Sequence, residues 1–311
     1  MSKIMKFWNV FLSVLVMAFV FAACSDDEPG GSDKNVPTAV TESFKKSFPE
    51  ATNVAWKQSQ GYYLASFNMK AKGAALAAQA NKAWFLKDGT MSLSDVDVPM
   101  SVFESDVTYA KILATWKASV YFSDGYVISE VEVLTRNGSA AMIVKMEVKK
   151  GKQEYDLYFT LDGRLVKAVL DDDDDDDDDM PCPVELEKIV LQMYSGSVII
   201  DFEMEDGGFE VTVLTKIGHI TVKKELMFDK NNKYLYAEIE IEDKALAELI
   251  KKFFTPELIS QIVAITGETN PAEWDFDIIE DAQGLCTINI EDKNDKKVEW
   301  RKGINLYDYF N

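Results

Sequence analysis

Leu170-Asp171-Asp172-Asp173-Asp174-Asp175-Asp176-Asp177-Asp178-Asp179-Met180-Pro181 is the stretch from which the rest of the chain is read. Nine adjacent carboxylates cannot be buried, because each buried charge needs its own partner and neighbouring like charges repel in helix and strand alike. The run therefore divides the 311 residues into two parts. Before it, apolar alternation ends at Val169-Leu170; after it, Pro181 and Pro183 keep the backbone out of regular ladders. Residues 171–183 read as a charged, solvated linker. Calcium is the one cofactor the tract suggests, since hard cations take carboxylate oxygens; calcium sites, however, hold about six to eight oxygens in a preformed loop, which a solvated run lacks.

The same order of patterns appears on both sides. Pro37 opens an amphipathic helix carrying Val40, Phe44 and Phe48, and Pro49 closes it. Strand patterns follow at Asn53 to Lys57, Tyr62 to Met69, Lys82 to Leu86 and Met91 to Val98, with Lys87-Asp88-Gly89 as a hairpin signal. Tyr109, Ile112, Leu113, Trp116 and Val120 then recur at helical spacing, and four more strands turn at Asn137-Gly138 and Asp162-Gly163. Beyond the aspartates, Leu186, Ile189, Val190 and Met193 mark a third helix, followed by strands between Val198 and Ile241. A fourth helix is predicted from Asp243 through Leu246, Leu249, Ile250 and Phe253, extending through Leu258, Ile262 and Ile265. Its strands are Trp274 to Ile279, Leu285 to Ile290, Val298 to Arg301 and Ile304 to Tyr309. A helix followed by about four strands thus occurs four times, an internal repeat. The expected fold is α+β: tandem two-layer units, each a helix on one face of an antiparallel four-stranded sheet, with repeats in pairs at 36–170 and 184–311 and the other sheet face open.

The front end is different in kind. Lys3 and Lys6 precede an apolar run from Val10 that stops at Ala22-Ala23-Cys24. Residues 1–23 read as a signal peptide, too short and too abruptly ended by Ser25-Asp26-Asp27-Glu28 for a membrane span. The cleavage region resembles a bacterial lipobox, with Cys24 as the acylated residue, and the acids after it resemble a surface-export signal. Residues 24–35 would then be a tether, with membrane contact through the lipid anchor only. The expected location is the outer membrane, on the cell surface or in the periplasm. Cleavage removes two lysines and no acids, taking the formal charge from −20 to −22. Phosphate binding needs clustered cations, so nucleic acid is excluded as a partner.

Phe48-Pro49-Glu50-Ala51-Thr52-Asn53-Val54-Ala55-Trp56, after a Pro37-initiated helix and before hairpins with Asp-Gly turns, resembles the PepSY-like lipoproteins of the Bacteroidetes, which are related in fold to β-lactamase-inhibitor protein. Tyr155 to Leu165 is similar to that family's closing hairpin. The resemblance covers 36–170; the second half shares the architecture without the Phe-Pro run. It implies an exported non-catalytic fold with an inhibitor-like role as one outcome.

Chemistry has few footholds. The one histidine, His219, follows Gly218 in a predicted turn, and no nucleophile motif accompanies it. No zinc, nucleotide or redox motif occurs, so no catalytic, metal or cofactor residue is assigned outside the tract. Asp275 and Asp277 could face one way on a strand and serve a glycan-active enzyme, but acids are abundant and a solvated strand face accounts for them. An oxidising compartment allows a disulfide between Cys182 and Cys286, but their positions in sequence do not place the two within bonding distance. Trp56, Tyr62, Tyr63, Phe67, Trp84 and Phe85 crowd one unit, and alternation cannot place them all inward. They are the candidate binding-face aromatics of a module for an envelope or extracellular protein. A carboxylate-dependent glycan enzyme and a calcium-buffering or structural envelope protein are the alternatives.

Overall fold

The computed structural model describes residues 35–59, 61–69, 81–139, 141–171, 180–205, 207–241, 255–270, 274, 276–292, 294 and 296–310. Cys24 and the signal region, Asp172 to Asp179, the alanine-rich 70–80 and the predicted helix from Asp243 lie outside them.

The fold is α+β, and the described residues form two antiparallel meanders of eight and seven strands. Helix α1 (Thr38–Ser47) precedes β1 (Ala51–Ser59), β2 (Tyr62–Met69), β3 (Asn81–Phe85) and β4 (Met91–Asp97). Then come α2 (Met100–Ser105), a 3-10 turn, α3 (Ala110–Ala118), α4 (Val120–Ser123), β5 (Val127–Arg136), β6 (Ile143–Lys150), β7 (Gln153–Thr160) and β8 (Leu165–Asp171). Helix α5 (Val184–Met193) opens the second part, with β9 (Val198–Glu205), β10 (Gly208–Ile217), β11 (Ile220–Asp229) and β12 (Tyr234–Glu240). It closes with α6 (Pro256–Thr266), β13 (Phe276–Asp281), β14 (Cys286–Glu291), β15 (Lys297–Ile304) and a last turn, α7 (Tyr307–Phe310).

Among the described residues the order of one or more helices and then four strands recurs in three units and the last unit has three strands, but the sheets do not stand apart. Strand β4 pairs with β5 from Leu93↔Arg136 to Asp97↔Glu132, and β12 pairs with β13, so each pair of repeats shares one continuous sheet. An unpaired edge strand at each junction would leave a row of backbone donors and acceptors unsatisfied, and the pairing removes it. The expected strand at Ile304 to Tyr309 is instead the end of β15 plus α7, whose Phe310 is fully buried. The long helical stripe is also broken. Ser119 adopts an extended conformation and its hydroxyl accepts from the Phe122 N–H, starting α4; Ile112 and Trp116 stay buried while Val120 is 68% exposed.

In the first sheet the helical face packs Phe44 of α1 among Trp56, Phe67 and Phe85, at ring centroid distances of 5.3, 5.0 and 6.1 Å. Helices α2 and α3 cover Val131, Met146, Leu157 and Phe159. Helix α5 does the same for Val211, Val213, Leu226 and Phe228 in the second sheet. Two Asp-Gly turns fit under helices at equivalent places. A Cβ on Gly89 would lie 2.5 Å from the Ala39 carbonyl oxygen in α1, and one on Gly163 2.8 Å from that of Lys111 in α3. Both glycines have φ of +89°, so close approach and left-handed backbone require the residue together.

Candidate functional site

The other face of the first sheet follows from register. Leu64, Trp84, Leu93 and Arg136 form one cross-strand row, and Asp97, Glu132, Lys145, Tyr158 and Lys167 form another. One end of this face is apolar and the remainder is charged.

The apolar end is covered. Tyr62, Trp84, Leu134 and Tyr158 form a buried cluster with Ile200 and Leu214 of the second sheet, so the sheets meet helix-free face to helix-free face. Polar groups surround that joint. The Arg136 guanidinium donates to the Met180 carbonyl at 2.7 Å and lies 3.6 Å from the Asp201 carboxylate. Lys167 donates to both Asp201 and Glu203, and the Tyr62 hydroxyl donates to the Cys182 carbonyl at 3.3 Å. Burial alone would raise the Asp201 carboxyl, but Lys167 and Arg136 outweigh it and bring it to about 2. Glu187 of α5, also buried, faces the β5–β6 turn: a Cβ on Gly138 would lie 2.8 Å from its Oε1. Burial pushes this carboxyl up to about 7 against the pull of Arg136.

This geometry corrects the reading of the six aromatics as an exposed binding face. Phe67 and Phe85 are core under α1, with Trp56 and Tyr63 half-buried against the same cluster. Tyr62 and Trp84 do point to the helix-free side, but the second sheet seals them in. Strand alternation could assign a face to each ring. It could not say that both faces would be covered.

Clusters of charge lie on both helix-free faces, beside exposed Val127 and Val169 on the first. On the first sheet, carboxylate oxygens of Asp97, Glu130 and Glu132 lie within 4.8 Å of one another. Burial first, and Glu130 second, push the Asp97 carboxyl to about 7, so this pair resists carrying two charges. On the second sheet, Lys223, Glu225, Glu238, Glu240 and Asp277 line a shallow depression of about 180 Å³. Lys223 bridges Glu240 at 2.5 Å and Glu225 at 3.2 Å, and Lys297 meets Asp277 at 2.8 Å. Burial and the neighbouring Asp277 and Glu225 raise Glu238. Among the described residues four carboxylates share two ammonium groups there, an arrangement that attracts a further cation. Leu214 of the joint pairs with Lys223 across β10 and β11, so the depression is continuous with the covered region.

The remaining sequence candidates fall elsewhere. His219 sits in the β10–β11 turn, where its ring Nδ1 and its backbone N–H both meet the Phe310 carbonyl. Asp275 lies outside the described residues, as does the tract beyond Asp171. Cys182 and Cys286 are unpaired and buried, and burial lifts each thiol to about 12. A polar group that sequence reading passed over is Lys224, fully buried beneath the helices, 2.7 Å from Glu280 and 4.5 Å from the Tyr194 ring centre. Its place in Val222 to Leu226 follows the apolar face of β11, the signal by which a buried lysine could have been found.

No protein-family model matches the chain, and neither does any curated protein. Among solved structures it is similar to a BLIP-like protein from Bacteroides fragilis, at 22% identity and a TM-score of 0.37, over 47% of this chain and 93% of that one. It is also similar to DUF2874 family proteins from Bacteroides uniformis and Bacteroides ovatus. These match at 24% and 25% identity with TM-scores of 0.35 and 0.34, each over 43% of this chain and over 88% and 86% of theirs. The BLIP-like description is the fold relationship that the resemblance of the Phe48–Trp56 run implied.

Proposed function

We propose that this chain is an exported, lipid-anchored, non-catalytic binding module that meets a basic surface of an envelope or extracellular protein, in the manner of an inhibitor. The observation that carries this reading is the depression on the second sheet, where Glu225, Glu238, Glu240 and Asp277 outnumber Lys223 and Lys297. A lysine or arginine side chain of a partner would relieve the repulsion that raises Glu238, and the net charge of −20 would steer such a partner in. The Lys3/Lys6 and Ala22-Ala23-Cys24 signals supply the anchor. The flat strand rows around the depression supply a contact surface that needs no cleft.

The test compares the full chain with a Glu238→Lys/Glu240→Lys variant as bait for envelope extract. A protein captured by the parent, lost with the variant and weakened by salt supports the reading. Capture unchanged by reversal of these charges would remove the depression from consideration.

A further inference from the structure

We propose that Asn137 is a site of spontaneous modification in the folded chain, its carboxamide closing on the Gly138 nitrogen and reopening as aspartate or isoaspartate at the joint. Asn137-Gly138 is the one Asn-Gly pair in the sequence, and both residues are exposed in the β5–β6 turn. The reaction needs a backbone amide free to attack, with no side chain in its way. The three described Asp-Gly turns fail the first requirement. The N–H groups of Gly89, Gly125 and Gly163, which follow Asp88, Asp124 and Asp162, donate to the carbonyls of Leu86, Phe122 and Thr160 at 2.9, 3.1 and 2.9 Å. In the Asn137 turn the bonds fall on either side instead. The Asn137 N–H donates to the Ser92 carbonyl at 2.8 Å and the Ser139 N–H to that of Arg136 at 3.3 Å. Among the described residues the Gly138 N–H has no acceptor, and no hydrogen bond holds the Asn137 carboxamide away from it.

The Gly138 nitrogen, losing its proton to water, bonds to the Asn137 Cγ, and the bond from Cγ to the side-chain nitrogen breaks, releasing ammonia. Water then opens the five-membered imide. Breaking the new bond from Cγ to the Gly138 nitrogen gives aspartate; breaking that from the backbone carbon gives isoaspartate, whose main chain is longer by one methylene. Both products carry an added carboxylate, and neither needs an oxidant or cofactor. The change reaches the joint because the turn is confined there. A Cβ on Gly138 would lie 2.8 Å from both Glu187 Oε1 and Leu191 Cδ1 of α5, so a longer main chain at this point pushes the turn against the helix. The new carboxylate also follows Arg136, the cation that meets the Met180 carbonyl and Asp201.

Peptide mass mapping of the folded chain, held in mildly alkaline buffer, tests the site. The peptide containing Asn137 is expected to gain the mass difference between amide and acid and to become a substrate for an isoaspartyl methyltransferase, a change that Asn137→Gln abolishes. An amide that persists in the folded chain while the urea-unfolded chain converts would overturn the proposal, whether or not the variant folds. Isoaspartate arising as fast at Asp88, Asp124 or Asp162 would overturn the role of the free Gly138 amide. Hydrogen exchange of the modified chain, separated by its added charge, tests the consequence. The α5 amides from Glu187 to Met193 are expected to exchange about tenfold faster than in the parent, and equal rates would break the link to the joint.

Discussion

The two sheets solve the same problem differently: how to fill the seam beneath the helices where one repeat gives way to the next. In the first sheet the seam is small and neutral. Ser94 pairs with Ala83 on one side and Thr135 on the other, and Asn81 links Phe67 and Asp97 through its amide, at 3.1 and 3.2 Å. Its Asp-Gly turns tuck beneath α1 and α3. In the second sheet Lys224 and Glu280 fill the seam, with the Tyr194 hydroxyl donating to Glu280 at 2.6 Å. The Gly284 turn has nothing within 4 Å of its missing Cβ. The difference teaches where each sheet is vulnerable: the first in its backbone fit, the second in a buried charge that must stay paired.

The largest effect expected from breaking that contrast is at the ion pair. Lys224→Ala leaves Glu280 buried without its cation, which costs about 3–5 kcal/mol, whereas Lys224→Met with Glu280→Leu removes both charges and is expected to be near neutral. Urea unfolding of the three chains measures the difference, and equal losses from single and double variants would show that packing, not charge, fills the seam.

Next come the turns. Gly89→Ala and Gly163→Ala meet backbone carbonyls and also occupy positive φ, so each is expected to cost about 2–3 kcal/mol, against about 1 kcal/mol for Gly284→Ala, where only φ opposes the side chain. Thermal melts of the three variants sharpen the comparison. A Gly284 variant as damaged as the other two would mean that the second sheet's turn is as constrained as the first's.

The joint supplies a pH dependence. Glu187 has an unfolded value of about 4.5 and a folded value of about 7, so the native state binds its proton more tightly. Its contribution is fully present below about pH 4.5 and is lost as pH rises to about 7, amounting to about 3 kcal/mol before solvent screening reduces it. Asp97 acts in the same direction, from 3.8 to about 7. Glu187→Gln is expected to flatten the fall in stability between those limits, and a parental slope that survives the substitution would locate the titration elsewhere. The smallest effect belongs to Val120→Ser. At 68% exposure it should change stability by no more than about 0.5 kcal/mol, although helical spacing alone placed Val120 in the same stripe as buried Trp116.

Much of the fold was legible because the signals are local. Pro37 and Pro183 precede α1 and α5; Asn137-Gly138 and Asp162-Gly163 sit at the β5–β6 and β7–β8 turns; and alternation in Thr221 to Phe228 gives the pleat of β11. The α4 break escaped because apolar spacing ran on through Ser119, whose capping role depends on its backbone conformation. Trp84 and Tyr62 illustrate a different gap. Their side of the strand could be read, but their cover comes from Ile200 and Leu214, more than a hundred residues away.

The amino-acid order alone determined an antiparallel α+β chain of repeated helix-and-strand units, parted by a run of carboxylates too repulsive to bury. Periodicity, turn chemistry and charge act over a few residues, so they can be read without coordinates. Only the tertiary structure decided that paired repeats share continuous sheets, that the aromatic face is closed by its own chain, and that carboxylates gather in the depression on the second sheet. Those outcomes depend on strand pairing and face-to-face packing between distant segments, which no local pattern encodes.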